Sequence, residues 1–437
     1  MPKLLLDFSL LKENPNFRMV FIARMMSVLA LGMMTVAVPI QIHEMTGSTL
    51  QVGMIMALDG IGMFVGLLLG GVLADKYDRR KLILIARGTC GIGFGALALN
   101  SLLAESSLAA LYILSVWDGF FGAMGMTALM ASLPVIVGRE NLPAAAALSM
   151  LTVRLGMVLS PAIGGLLISF GDVSWNYVAA SVGTLCTLIP LFRLPSMKPT
   201  HQTPENPFLS LYEGVKFLTS NKVVGCVVVF GTLETLATAV RVMFPALALE
   251  TFTGDATNAG LMYSAIPLGA MVGALTSGWV KQAKKPGMVM IYSTMGTFFT
   301  IVMMGLTANF WLFLAVLVVY GYLGSVASLI QYSIVQGHTP DHLLGRVSSL
   351  WTAQDVTGDS VGALGLGALG KIMAPAMSVL SFGLGATGIG MLMVLAFRPL
   401  RRATLFDPAL APQGSAHSAS APQDASQQNN QTAPAAS

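Results

Sequence analysis

Positive charge in this chain falls almost entirely in alternate gaps between apolar stretches. Lys3, Lys12 and Arg18 precede the first of about twelve stretches of bilayer-spanning length. The second gap holds Lys76, Arg79, Arg80 and Lys81, the fourth Arg139, and the sixth Arg193, Lys198, Lys216 and Lys222. Lys281, Lys284 and Lys285 fill the eighth, Arg346 the tenth, and Arg398, Arg401 and Arg402 follow the last stretch. The odd-numbered gaps hold only Lys371, which leaves Arg24, Arg87, Arg154 and Arg241 inside stretches. Lys and Arg are retained on the cytoplasmic side of a membrane. The alternation therefore describes a multi-pass membrane chain with both termini inside.

Composition agrees, since 10% charged residues and a mean hydropathy of +0.73 are far from the roughly 25% charged residues of a soluble domain. The stretches run over residues 17–42, 52–73, 82–103, 108–136, 144–168 and 178–194, then 223–249, 259–280, 288–306, 310–335, 343–369 and 374–397. Helices are expected, because backbone polar groups in lipid must be satisfied within the segment. The first apolar run is too long for a cleavable signal peptide and lacks a small-residue cleavage motif. Cys90, Cys186 and Cys226 lie in or at the ends of apolar stretches, which suits packing better than a disulfide framework or a metal site. His43, His201, His338, His342 and His417 fall in connections, the linker or the tail. No phosphate-binding glycine loop, zinc-protease motif or nucleophile elbow is present, which argues against an ATP-driven pump or a membrane hydrolase.

The two halves of the chain repeat. Pro39, Gly47, Gly53, Gly66 and Gly71 are matched in order by Pro245, Gly254, Gly260, Gly273 and Gly278, and Ser149, Thr152, Ser160 and Gly165 by Ser349, Thr352, Ser360 and Gly365. Two six-helix halves of the same orientation, related by an axis along the membrane normal, resemble the major facilitator superfamily. The fold class expected is thus all-α integral membrane, with twelve transmembrane helices in two pseudo-symmetric halves. Residues 1–194 and 223–402 form the halves, and 195–222 form a cytoplasmic linker. Within the linker, 195–207 is polar and proline-rich, and an amphipathic helix follows with Leu211, Val215 and Leu218 on one face. The tail, 403–437, is rich in Ala, Pro, Gln and Ser and is expected to be disordered.

Two motifs carry the likeness further. Gly71-Val-Leu-Ala-Asp75-Lys-Tyr-Asp78-Arg79-Arg80-Lys81 resembles the gate loop between the second and third helices of these transporters. Gly71 would let two helices approach closely, and Asp75 would accept from helix amides or pair with a basic side chain of the loop. On the fifth stretch, Gly156, Ser160, Pro161, Gly164 and Gly165 are similar to the G-P-x-x-G-G signature of proton-coupled exporters, with Ser160 where glycine is usual. Pro161 removes a backbone donor and the glycines permit close packing, so a bend at the interface between halves is expected.

Ionisable groups inside lipid-spanning helices are costly and generally face a cavity or a partner. Asp59, Asp118, Glu234, Asp355 and Asp359 are the proton-coupling candidates. Exporters with Arg in the fourth-helix position occupied here by Asp118 cannot serve as a guide to that step. Glu234 and Arg241 are seven apart on one helical face, and Asp355 and Asp359 four apart. Two neighbouring dehydrated acids would resist joint ionisation, leaving one able to carry a proton. Asp118 and Arg154 fall at similar depths and are expected to neutralise each other.

The stretches WDGFFG, LWTAQDVTGD, MLTVRLG, VGRENL and GGVLADKYDRRKLILIARGTCGIGF are more specific than the glycine loop. With others from about residue 8 to about residue 400 they resemble the enterobactin exporters of Gram-negative bacteria, a siderophore-exporting family of the superfamily. The resemblance implies a proton-driven inner-membrane antiporter that moves a catecholate siderophore from cytoplasm to periplasm by alternating access, and no enzyme activity or cofactor. The cavity candidates are Arg24, Arg154 and Arg241 for an electron-rich ligand, and Trp117, Phe120, Phe121 and Trp351 for catechol rings. Expected partners are the siderophore, protons, the bilayer and an outer-membrane efflux channel, with no nucleic acid and a monomeric state. A drug efflux pump of the same fold, for macrolides for example, differs only in its cavity lining. An uptake permease is the same fold run backwards, and a membrane sensor would need a folded signalling domain.

Overall fold

The helix starts are written in side chains that accept backbone amides. Asn14 caps the first long helix by accepting from the Phe17 amide at 2.9 Å. Asn309 accepts from Leu312 at 3.1 Å, and Asp255 from Thr257 at 2.9 Å. Each such cap contributes about 1 kcal/mol. A computed structural model of the chain describes residues 9–198 and 207–406. The long helices are α1 (Pro15–Thr46), α2 (Thr49–Lys76), α3 (Arg79–Ser101), α4 (Leu108–Phe170) and α5 (Val173–Cys186). They continue with α6 (Pro207–Ser220), α7 (Lys222–Ala237), α8 (Ala256–Thr276), α9 (Pro286–Leu306), α10 (Phe310–Gly337), α11 (Leu344–Ile372) and α12 (Pro375–Ala396).

Among the described residues nine helices are long and apolar enough to cross a bilayer. That count is consistent with twelve crossings. The 63 residues of α4 would extend about 95 Å, some three times a bilayer's hydrocarbon core. Its backbone leaves helical geometry at Gly138, with φ 75° and ψ 163°, a region open essentially to glycine alone. The fourth and fifth stretches are therefore two arms meeting at Gly138. The sixth stretch starts earlier than its apolar run, at Val173, and is interrupted at Thr187 before a turn at Leu188–Leu191. α11 carries Asp355, Asp359 and a polar face and is correspondingly less apolar. The seventh stretch is not one continuous helix, because α7 passes into a 3₁₀ turn at Thr238–Met243 and a π turn at Leu247–Thr251.

Helix packing uses glycine where a Cβ would strike backbone, and the pattern occurs twice. A Cβ on Gly62 or Gly66 would lie 2.2 or 2.3 Å from the Val116 or Phe120 carbonyl, and one on Gly269 or Gly273 would lie 1.9 or 2.9 Å from that of Val318 or Tyr322. Between halves, Gly53 of α2 faces the Ala363 carbonyl of α11 at 2.3 Å, and Gly260 of α8 faces the Pro161 carbonyl of α4 at 2.5 Å. In lipid, such small-residue contacts replace the hydrophobic drive for association.

At one end the two halves share a single core, and at the basic end each half has cores of its own. At the end opposite the basic loops, Thr49 donates to the Gly367 carbonyl at 3.0 Å, Thr257 meets Ser169 at 2.8 Å, and Gly165 abuts Gly260 and Ala256. At the basic end a Cβ on Gly71, Gly278 or Gly345 would meet nothing within 4 Å. Gly71 is therefore not the close-packing residue expected of it. Gly62, Gly66 and Gly70 hold α2 against α4, and Gly71 lies one residue further round the helix. α6 packs on α11 through Gly214, with Phe217 and Leu218 partly buried beside it. Val215, expected on the same face, is 47% exposed. The side chain of Leu211 and residues 407–437, the bulk of the expected tail, lie outside what the structure describes.

Candidate functional site

The charged residues inside the helices gather into two clusters joined by Asp59. In the C-terminal half, the Arg241 guanidinium donates through Nη2 to both carboxylate oxygens of Asp359, at 2.7 and 2.8 Å. The Thr238 hydroxyl also donates to Asp359. The 3₁₀ turn of Thr238–Met243 makes this possible, since Arg241 Nε bonds back to the Thr238 carbonyl at 3.2 Å and Tyr263 donates to the Arg241 carbonyl at 3.0 Å. Arg241 thus reaches Asp359 on α11, and Glu234, seven residues before it, has other partners. Glu234 accepts from Thr294 at 3.2 Å and from the amide of Gln331. Asp355 lies against the Trp351 indole, within electrostatic reach of Asp359 and Glu234.

These groups are deep in the protein yet partly accessible. Ala239, Val240, Val242 and Met243 are fully buried, while the side chains of Arg241 and Asp359 between and opposite them keep 35% and 37% of their surface accessible. Ser349, Thr352 and Asp355 are exposed at three-residue spacing on α11. A polar helical face of this kind is unfavourable against lipid and calls for water or a polar partner.

In the N-terminal half, Asp118 neighbours Arg87 and the Cys90 thiol, and Arg24 faces Arg87 as a like charge. The expected pairing of Asp118 with Arg154 is not formed. Arg87, two helical turns into α3, takes that place, and Arg154 makes no hydrogen bond or ion pair among the described residues. Asp118 Oδ1 and Arg87 Nη1 are buried without a hydrogen-bond partner, so this pair retains hydrogen-bonding capacity that the protein leaves unused. Asp59 senses Asp118 on one side and Asp359 and Arg241 on the other, bridging the clusters where α2 crosses α11.

The aromatic candidates divide. The Trp117 and Phe121 rings meet at a tilt of 53° with centroids 4.7 Å apart, and Phe120 meets Phe121 edge-on at 5.0 Å. The Trp117 indole donates to the Thr89 carbonyl at 3.1 Å, and Phe121 packs against the main core. Trp351 sits apart on α11 against the core formed by α7, α9 and α10.

At the gate loop the acid that works as a cap is Asp78. Its carboxylate accepts from the Arg80 amide at 3.0 Å, the Ser196 hydroxyl at 2.6 Å and the Met197 amide at 2.9 Å. Partial burial alone would push this carboxyl up, but those hydrogen bonds and the nearby Lys81 hold it below its ordinary value. Asp75 belongs to the last turn of α2, where side chains tilt back toward the helix start. It is exposed and makes no hydrogen bond or ion pair among the described residues. Arg79 donates to the Ala131 carbonyl at 2.8 Å, and Arg80 to that of Phe192.

In the Gly156–Gly165 motif, the helix continues through Pro161 without leaving helical φ/ψ, and its small residues pack closely. Gly156 lies on Val28, Gly32 on Ser160, Gly164 on Met33, and Gly165 on α8. His43, placed by sequence in a connection, ends α1 buried and meets Glu250 of the other half at 3.1 Å. Gln331, Thr294 and Thr238 were not among the candidates. An amide within the apolar run of α10 was the available signal for Gln331. The threonines gave none.

Helices that share a core at one end and form separate cores at the other, around a charged and partly accessible interior, define a membrane transporter. A family model described as transmembrane secretion effector matches residues 8–426, and the chain belongs to this family of the major facilitator superfamily. The enterobactin exporter EntS of Shigella boydii serotype 18 is 52% identical over 398 residues, 91% of this chain and 95% of that protein. EntS of Escherichia coli O6:K15:H31 is 51% identical over 411 residues, covering 94% and 99%. Among solved structures, the nucleoside transporter NupG shares the fold at a TM-score of 0.72 and 13% identity, over 89% of this chain and 100% of that one. A POT family transporter in complex with 5-aminolevulinic acid does so at 0.70 and 13%, over 89% and 97%. The chain is a multi-pass transporter and not an enzyme.

Proposed function

We propose that this chain exports an enterobactin-like catecholate siderophore from cytoplasm to periplasm across the inner membrane, driven by the proton gradient. The observation that carries the substrate is 52% identity to an enterobactin exporter over 91% of the chain. The partly accessible cluster of Arg241, Asp359 and Asp59, with Arg24, Arg87 and Asp118 across from it, supports transport of an anionic, polar ligand. Both termini and the basic end are assigned to the cytoplasm by the charge alternation. On that orientation the separate cores at the basic end favour an inward-open reading, and alternating access consists of the N-terminal half rocking against the C-terminal half about the Asp59 region. Asp359, Glu234 and Asp118 are the proton carriers. Arg241 contacts substrate when Asp359 is protonated and releases it. The siderophore passes from a monomer to the periplasm, where an outer-membrane channel completes its exit.

The test is siderophore secretion by iron-starved cells with and without the gene, in a strain lacking other exporters, with intact catecholate quantified in the medium. Loss on deletion, restored by the wild-type chain and not by Asp359→Asn, is the expected result. Unchanged secretion overturns the substrate and leaves drug efflux as the reading to test next.

A further inference from the structure

Four of the cations that neither the transport site nor the gate loop uses are brought to one place by the fold. Lys284 and Lys285 precede α9, and Arg401 and Arg402 close the short helix after α12. Together with Met288, Tyr292, Ala403 and Thr404 they line a cleft of about 520 Å³ at the basic end. All four are exposed, none forms an ion pair among the described residues, and no carboxylate lines the cleft. Like charges held in one cleft repel, and an anion seated among them relieves that repulsion.

The cleft is fixed by backbone. The Gly287 amide donates to the Ala403 carbonyl at 3.2 Å, and a Cβ on Gly287 would fall 2.3 Å from the Leu400 carbonyl. Leu400 and Ala403 are themselves buried, so the arginine turn is clamped onto the first turn of α9. A topology signal needs its charges only on the correct side of the membrane. It does not need two segments more than a hundred residues apart to converge. The outer wall points to the source of the anion. Tyr292 is 68% exposed, as suits a ring at the level of lipid headgroups. Phe299 of α9 and Leu392 and Leu395 of α12 continue an exposed apolar surface away from the cations.

We propose that this cleft binds the phosphate headgroup of an anionic phospholipid, with Lys284, Lys285, Arg401 and Arg402 as its ligands. Arginine supplies paired donors to phosphate oxygens and lysine a point charge, and basic clefts between membrane helices recognise such headgroups.

Native mass spectrometry of the full-length protein in detergent, titrated with phosphatidylglycerol, tests this. Each cation removed should weaken binding about fivefold, so Lys284→Gln/Lys285→Gln and Arg401→Gln/Arg402→Gln should each lose about 25-fold and the fourfold variant more. A control that neutralises Lys12, Arg18, Lys216 and Lys222 should bind as wild type. Should the fourfold variant fail to fold, either double variant makes the same comparison. Wild-type affinity in the double variants, or equal loss in the control, overturns the site. If glycerol 3-phosphate displaces phosphatidylglycerol at equal concentration, the cleft binds a soluble phosphate and the lipid assignment is wrong.

Discussion

Replacing Gly260 by alanine should open the packed end of the transporter. In the structure a Cβ at this position lies 2.5 Å from the Pro161 carbonyl oxygen and 3.0 Å from the Gly165 Cα, both on the opposite half. Backbone atoms cannot rotate away as a side-chain tip can, so the halves must move apart or the strain remains. Overpacking of this kind costs about 1–3 kcal/mol. The cost falls only on the state in which these halves touch, so the equilibrium should move toward the state open at this end by about 5- to 150-fold. Thr49 reports the change, being buried at the same interface. With Cys186→Ser and Cys226→Ser, a Thr49→Cys variant should react slowly with a membrane-impermeant maleimide and faster by the stated factor when Gly260→Ala is added. Two controls separate state from stability. Gly269→Ala meets a harder clash, 1.9 Å from the Val318 carbonyl, but inside one half, so it should lower thermal stability without raising labelling. Gly278→Ala meets nothing within 4 Å and should change neither. Unchanged labelling in Gly260→Ala, or an equal rise in Gly269→Ala, would refute the reasoning.

Asp359→Asn should destabilise the protein by about 1–3 kcal/mol, less than the loss of a fully buried partner because Arg241 retains access to water; thermal melts in detergent measure it, and the double variant Arg241→Met/Asp359→Leu should recover part of the loss. Glu234→Gln should preserve stability, since its carbonyl still accepts from Gln331 and Thr294, but should flatten the response of export to an imposed pH gradient in proteoliposomes. Asp78 has a folded-state pKa below its ordinary value, so its stabilisation is complete at neutral pH, fades as pH falls through the ordinary aspartate range near ~4, and is gone below the folded-state value. Melts of Asp78→Asn and wild type should therefore differ at pH 7 and converge in acid. Glu250→Gln, which weakens the His43 contact between halves, should raise Thr49→Cys labelling in the same direction as Gly260→Ala and by a smaller factor.

The membrane fold was legible because the bilayer allows so few solutions: long apolar runs, charge on alternate gaps, and glycines in the same order in both halves. Those glycines also carried information that spacing alone could not resolve. Gly53 and Gly260 mark contacts between halves, Gly66 and Gly273 contacts within them, and Gly71 and Gly278 open space, although all six repeat equally well in sequence. The site was legible as a set of residues and not as a set of pairs. Asp118 and Arg154 share a depth, but pairing depends on azimuth as well, and the turn of α3 presents Arg87 instead. Arg241 and Glu234 share a face only on a regular α-helix, and the 3₁₀ turn at Thr238–Met243 rotates Arg241 toward Asp359. That irregularity has no marker in sequence beyond Pro245 a few residues on. Nor does the gate loop signal which of its two aspartates caps the next helix, because Asp75 and Asp78 differ only in which side of a helix terminus they occupy. What sequence cannot show is therefore of one kind. It gives depth in the membrane, while the direction a charge faces is set by local departures from helical geometry. In a transporter, that direction determines which acid is paired, which is left wet, and so which can exchange a proton.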